Sequence, residues 1–339
     1  MENDDRSQIL IYKGEGVFPL LTDRLLHQLQ ENISPRHHII FEITAEGIIR
    51  GDWKDKTCLL IFPGGRSLPY HKALQGEGTR QIRTFIEQGG RYLGICAGAY
   101  FASRRIEFDV GGPFEVTGDR TLCLFPGIAR GPAYGPGTFA YGSEKFAKAS
   151  PIHIIHPLST DADGETVRVY FNGGCIFENA DSFKDCTVLG RYMDIDPTPL
   201  AGVERIDIVQ CTEQQAPVFP SATLTTDPSM QYDDRETREV PGHENGHHVT
   251  GHHHVTSHHV ANSGPAAMVV CRIGKGLAFL SGVHFEADPD TIEANLEETE
   301  ALRAALKEAD QGRKALFLNV LREMDIHVLA DEDSEAVLG

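Results

Sequence analysis

The chain lacks any long apolar run. No stretch approaches the roughly 20 residues that cross a bilayer, which excludes a spanning helix. Basic residues are scarce: 31 Lys and Arg stand against 49 Asp and Glu, a formal charge of −18. A field of that sign repels phosphate backbones and anionic lipid, so nucleic acid and membrane surfaces are excluded as partners. Cysteine follows no pairing pattern. Seven cysteines stand at positions 58, 96, 123, 175, 186, 211 and 271, an odd number with no CxxC pair. That excludes a disulfide framework and implies reduced thiols in the cytoplasm. The acidic start, Met1-Glu2-Asn3-Asp4-Asp5, has neither signal-peptide nor transit-peptide character. No internal repeat is present.

What the chain does have is length and apolar content. With 339 residues, 40% of them hydrophobic, it can bury a sizeable core. Short apolar runs at Gln8–Tyr12, His38–Ile43, Thr57–Phe62 and Arg91–Ile95 predict strands. Helical spacing over Val17–Ile33 and Thr79–Glu87 places helices between them, the second ending at Gly89-Gly90. Strands alternating with helices predict an α/β fold with a mostly parallel sheet and helices on both faces. Further β-type runs at Thr121–Phe125, Ile152–Ile155, Val167–Phe171, Thr187–Tyr192 and Ile206–Val209 read as antiparallel hairpin additions. Ala267–Ile273 and Leu277–Leu280 return as strands, and Ala294–Met324 reads as a long acidic helical region. A single domain is expected over residues 1–326, interrupted by a polar insertion at 211–265, with 327–339 a frayed tail.

Three segments carry the chemistry. Gly94-Ile95-Cys96-Ala97-Gly98 joins a strand to an Ala-rich helix, the pattern of a nucleophile elbow. Its glycines permit a sharp turn, and a helix N-terminus beside the sulfur favours the thiolate. Phe62-Pro63-Gly64-Gly65 ends the preceding strand, so Gly65, together with Ala97, is a candidate backbone N–H donor to an oxyanion. Ser281-Gly282-Val283-His284-Phe285-Glu286 ends a late strand. His284 is the candidate base, and Glu286 can fix its tautomer from the far ring nitrogen. Read without that context, Cys96 is a buried thiol, His284 a core histidine and Glu286 a helix-entry acid.

These residues resemble the class I glutamine amidotransferase superfamily, which sets its cysteine in a G-x-C-x-G elbow and its histidine and glutamate in an H-x-E motif. Within it, the chain is most similar to the N-terminal amidotransferase-like domain of eukaryotic-type biotin–protein ligases. Tyr12-x-Gly14-x-Gly16, Phe62-Pro63-Gly64-Gly65, Gly94-x-Cys96-Ala97-Gly98-Ala99-Tyr100, Phe125-Pro126-Gly127, Gly131-Pro132 and Tyr170-Phe171-Asn172-Gly173-Gly174 carry that likeness. The resemblance implies a flavodoxin-like sheet and a Cys96–His284–Glu286 triad acting on a small carbonyl substrate. It also implies a pocket lined by Gly64, Tyr100, Asn172, Gly173 and Gly174. A biotin-dependent carboxylase or ligase enters as the implied partner. No cofactor is needed for such chemistry. Two departures stand out. Ala99-Tyr100 follow the elbow where glutamine amidotransferases usually carry Gln or His. The only Trp, Trp53, lies in no Lys-Trp-Pro-Asn-type segment, so no complete biotin ligase is expected. The alternative expectation is a non-catalytic binding or regulatory module.

The segment His243–His259 is dense in histidine. His247, His248, His252, His253 and His254 would take up Zn²⁺, Ni²⁺ or Cu²⁺ adventitiously. Only Glu244 supplies a nearby acidic ligand, so no structural or catalytic metal site is expected there.

Overall fold

Continuous apolar runs form strands that are covered on both faces, and such strands build the centre of this fold. A computed structural model describes residues 5–159, 164–195, 264–292 and 297–331. Five parallel strands lie side by side: β1 (Ser7–Tyr12), β2 (His38–Ile43), β3 (Thr57–Phe62), β4 (Arg91–Ile95) and, from far along the chain, Gly276–Ser281. Their order is β2-β1-β3-β4 and then the late strand. The connections are α1 (Pro19–Asn32), α2 (Ala45–Arg50), α3 (Ser67–Leu74) and α4 (Glu77–Glu87), and α5 (Ala97–Ala102) follows β4.

The sheet continues past this parallel core. It adds β5 (Ser103–Phe108), β6 (Val116–Asp119), β7 (Phe125–Gly131), β8 (Lys148–Ile154), β9 (Glu165–Phe171), β10 (Ile176–Phe177), β11 (Cys186–Tyr192) and β12 (Ala266–Ile273) before the late strand, β13. β12 and β13 pair antiparallel, as do β8 with β9, β11 with both β8 and β12, and β5 with β6. α6 (Glu297–Glu308) and α7 (Asp310–Glu323) close the described chain. One core gathers Tyr12, Phe62, Tyr92 and Phe101 with Tyr70 of α3 and Phe85 of α4. The other gathers Ile11, Ile61 and Leu93 with Leu25 of α1 and Phe317 of α7. Helices therefore cover both faces of a flavodoxin-like α/β sheet.

The structure corrects three local expectations. No strand covers Thr121–Leu124; β7 instead starts at Phe125 and runs through Pro126. Pro126 fits because the β5–β7 register shifts between Ser103 and Arg105, so its missing N–H breaks no ladder bond. Helix α1 begins at Pro19, a residue preset for the first helical position. Val17 bridges to Gly65 instead. The expected helical region is built from two helices divided at Ala309. The tail is docked at its start: Val328 is fully buried and bridges to Ile33, because an apolar side chain there completes the core beneath α1. The expected strand at Ile206–Val209 and nearly all of the 211–265 insertion lie outside the described residues.

Candidate active site

Sequence order places the elbow at the carboxyl end of β4. Gly94 and Gly98 lie so close that a methyl group on Gly94 would stand 2.7 Å from the Gly98 carbonyl oxygen. A methyl on Gly98 would collide with the Phe62 carbonyl of the next strand. Between them Cys96 adopts φ 48° and ψ −103°. That region is costly for any residue with a side chain, and the surrounding chain must hold it there. The side chain is 7% exposed, and its thiol donates weakly to the Asn172 carbonyl at 4.0 Å. The following helix α5 has only six residues, all buried.

His284 arrives from the neighbouring strand. β13 runs parallel to β4, and the Cys96 amide donates to the Ser281 carbonyl at 2.8 Å. The Ser281 hydroxyl then shapes the turn, donating to the Val283 carbonyl at 2.6 Å and accepting from the Val283 amide at 3.1 Å. The His284 amide donates to the Tyr170 carbonyl of β9 at 2.8 Å. The imidazole Nδ1 lies 2.7 Å from Glu286 Oε1, with both side chains buried. That bond leaves Nε2 as the ring nitrogen available to Cys96, which acts on the imidazole electrostatically. Burial alone would lower the His284 pKa. The Glu286 carboxylate and the Cys96 contact outweigh it and raise the value to about 10, so the ring carries a proton at neutral pH.

The remaining sequence candidates surround this group. Gly64 lies against the ring: a methyl there would stand 2.6 Å from His284 Cε1. Gly65 has φ 147° and leaves no room for a side chain beside the Gly16 carbonyl. Ala97 is the first residue of α5, where backbone N–H groups have no intrahelical acceptor. The buried Tyr100 hydroxyl donates to the Gly173 carbonyl at 3.1 Å, so Tyr100 anchors the 172–174 loop. Asn172 donates to the Ser143 carbonyl at 3.0 Å, and its own Oδ1 is buried without a partner. Gly174 touches the Gly282 backbone, which ties this loop to the histidine turn.

Sequence reasoning missed several neighbours. The Tyr170 ring meets the His284 ring at 5.6 Å, and its hydroxyl bonds Glu144. The buried Arg24 guanidinium stands 5.9 Å from that ring. Tyr170 stands in the family-like motif at 170–174, but nothing there marks it as a site residue, and nothing in the pattern of α1 marks Arg24. Among the described residues no group of His, Cys, Asp or Glu can hold a metal ion, and no helix is long and apolar enough to cross a membrane. The histidines at 247, 248 and 252–254 lie outside the described residues.

An α/β sheet with a strained cysteine elbow beside a histidine–carboxylate pair defines the class of site. The sequence model of the family described as "Biotin-protein ligase, N terminal" matches residues 7–226 and 241–338, and the chain belongs to that family. An uncharacterized protein of Chlamydia muridarum is 36% identical over 199 residues, which is 58% of this chain and 74% of that protein. The biotin–protein ligase of Schizosaccharomyces pombe is 29% identical over 231 residues, which is 68% of this chain but only 36% of that enzyme. Among solved structures, a ThuA-like protein from Bacteroides uniformis is similar at 11% identity and a TM-score of 0.35, covering 59% of this chain and 72% of that one.

Proposed function

We propose that the chain is a cysteine-dependent amidohydrolase or amidotransferase-like enzyme acting on a small carbonyl substrate. The observation that supports it is the strained Cys96 elbow beside the buried His284–Glu286 pair, whose side chains meet at 2.7 Å. The Cys96 sulfur attacks the carbonyl carbon, and the carbonyl electrons move to its oxygen. Gly65 and Ala97 N–H groups hold that oxyanion. The intermediate collapses, His284 Nε2 passes its proton to the leaving amine, and a thioester remains on Cys96. Water or an amine then attacks the thioester, gives its proton to His284 and releases Cys96. Glu286 keeps the imidazole in one tautomer throughout. Gly64 leaves room for the ring, while Tyr100, Asn172, Gly173 and Gly174 shape the pocket.

A second reading follows from the lengths. The chain matches 36% of the fission-yeast biotin–protein ligase, as an accessory domain would. In that reading the chain is a binding or regulatory module that docks on a biotin-dependent carboxylase or ligase in the cytoplasm. Iodoacetamide labelling at pH 6 and pH 8, read by peptide mass spectrometry, separates the two. Fast, selective alkylation of Cys96 at both values is expected of the enzyme. Uniform slow alkylation of all the cysteines would leave the module.

A further inference from the structure

Four aromatic side chains meet beside the Cys96 site; Phe114 and Phe139 are partly buried against the core, and Tyr141 is the exposed one. Phe18 comes from the turn before α1, and Phe114 from the turn after β5. Phe139 and Tyr141 come from the segment between β7 and β8. Tyr141 is the hub. Its ring lies 6.0 Å from Phe18, 5.2 Å from Phe114 and 4.7 Å from Phe139, nearly perpendicular to each. Phe139 meets Phe108 at 5.3 Å, and Phe108 meets Tyr100 at 5.6 Å. An aromatic row thus runs from Tyr141, 36% exposed, down to the residue behind the elbow.

The row adjoins the nucleophile. Phe139 lies so close to Gly173 that any side chain on Gly173 would enter its ring. Gly173 follows Asn172, whose carbonyl faces the Cys96 thiol. Burial pushes the Tyr141 hydroxyl pKa up; the charge of Cys96 adds to that shift and the charge of Arg66 opposes it. Arg66 itself follows the candidate oxyanion residue Gly65. One buried carboxylate holds both halves of the wall. Asp109 accepts from the Gly137 amide at 2.7 Å and from the Phe114 amide at 2.9 Å. Partly exposed aromatics gathered at one spot mark a binding surface, and one anchored in advance costs little to order.

We propose that Phe18, Phe114, Phe139 and Tyr141 form the subsite for a flat, apolar group of the substrate. The enzyme then takes carbonyl compounds, amides above all, that carry a planar apolar body. Small polar amides lack anything to lay against the wall. This rests on reading Cys96 as the nucleophile, so the test separates the two.

The probes are 2-naphthylacetamide and acetamide. Their binding is measured by calorimetry on the full chain carrying Cys96→Ala, which has no nucleophile at that position to turn them over. The naphthyl amide is expected to bind at least about tenfold more tightly, the scale of one or two aromatic contacts. Adding Tyr141→Ala or Tyr141→Leu should remove that preference. Phe41→Ala, at an exposed aromatic on the distant strand β2, should keep it. Equal binding of the two amides, or a preference that survives both Tyr141 substitutions, overturns the subsite. If the preference and its loss are found while iodoacetamide fails to label Cys96 in the unaltered chain, the subsite stands and the catalytic reading falls.

Discussion

The Cys96 amide donates to the Ser281 carbonyl at 2.8 Å, so the elbow and the histidine turn start from one point on the sheet. β4 ends at Ile95 and β13 ends at Ser281, and these two residues are paired in register. The residues that follow each strand therefore emerge together at the carboxyl edge, where parallel-sheet proteins assemble their sites. A one-residue slip in either strand would separate Cys96 from His284.

Cys96 should be more important for activity than for stability. Its backbone lies at φ 48°, a conformation that costs of order 1–3 kcal/mol for a residue with a Cβ. Cys96→Ala should abolish hydrolysis or transfer yet unfold at nearly the same urea concentration as the parent. Cys96→Gly, which relaxes the backbone, should be more stable than Cys96→Ala by about 1 kcal/mol. Urea midpoints for the three proteins check this. Equal stability of the Ala and Gly variants would show that the elbow stores no strain.

Gly64→Ala should act on His284 without touching its chemistry. The added methyl would stand 2.6 Å from both His284 Cε1 and Leu21 Cδ1. Leu21 is flexible and can give way, but the ring is pinned through Glu286, so the imidazole is pushed off line. Positioning errors of about 1 Å can cost on the order of 100-fold in rate. The variant should fold, keep its far-ultraviolet dichroism and alkylate Cys96 much more slowly. Unchanged alkylation would mean that Gly64 is only a turn residue.

Much of this was legible in the sequence because the parallel core is local. Ile9-Leu10-Ile11-Tyr12 and Cys58-Leu59-Leu60-Ile61-Phe62 are apolar throughout, and strands buried on both faces read that way. The elbow was legible because Gly94 and Gly98 stand close in sequence and face each other, although the Phe62 carbonyl that Gly98 also meets belongs to another strand. Elements set by distant packing were not legible. Leu122 and Leu124 alternate like strand residues, but they are buried in a loop whose Leu124 amide bonds the Ala102 carbonyl. The break at Ala309 carries no Gly or Pro, and the chain leaves helical geometry there at φ −98° and ψ 3°. Tyr141 could not be found at all, since its importance comes from three rings contributed by separate turns.

Stability should depend on pH through His284. Its folded pKa is raised to about 10 against an ordinary value of 6.5, so the folded state holds the proton more tightly. That contribution is complete below about pH 6.5 and is lost as pH climbs toward 10. The protein should therefore lose stability between pH 7 and pH 10, and His284→Asn should lose less over the same interval. Other groups that titrate there act in both proteins, so the difference in slope belongs to the pair. Parallel slopes would remove the ion pair. The rate should also decline as pH approaches 10, because a neutral ring has no proton to give the leaving amine.

Asp109 should couple fold stability to the shape of the site mouth. It is fully buried, with φ 50°, and its two carboxylate oxygens serve different loops. Oδ1 accepts from Gly137 and Oδ2 from Phe114, while its backbone accepts from the Gly112 amide and donates to the Gly131 carbonyl. Removing the side chain takes a charged acceptor from two part-buried amides, each bond worth about 1.5–3 kcal/mol. Asp109→Ala should therefore be destabilised by several kcal/mol. Asp109→Asn keeps one good acceptor but must turn its NH₂ toward the other amide, so it should free one loop and keep one. Because Gly137 leads to Phe139 and Tyr141, the looser variant should also bind 2-naphthylacetamide less tightly. The two readouts must move together. A variant that loses stability but keeps full affinity for the naphthyl amide would show that Asp109 supports the fold alone and that the aromatic wall is held by its own ring contacts.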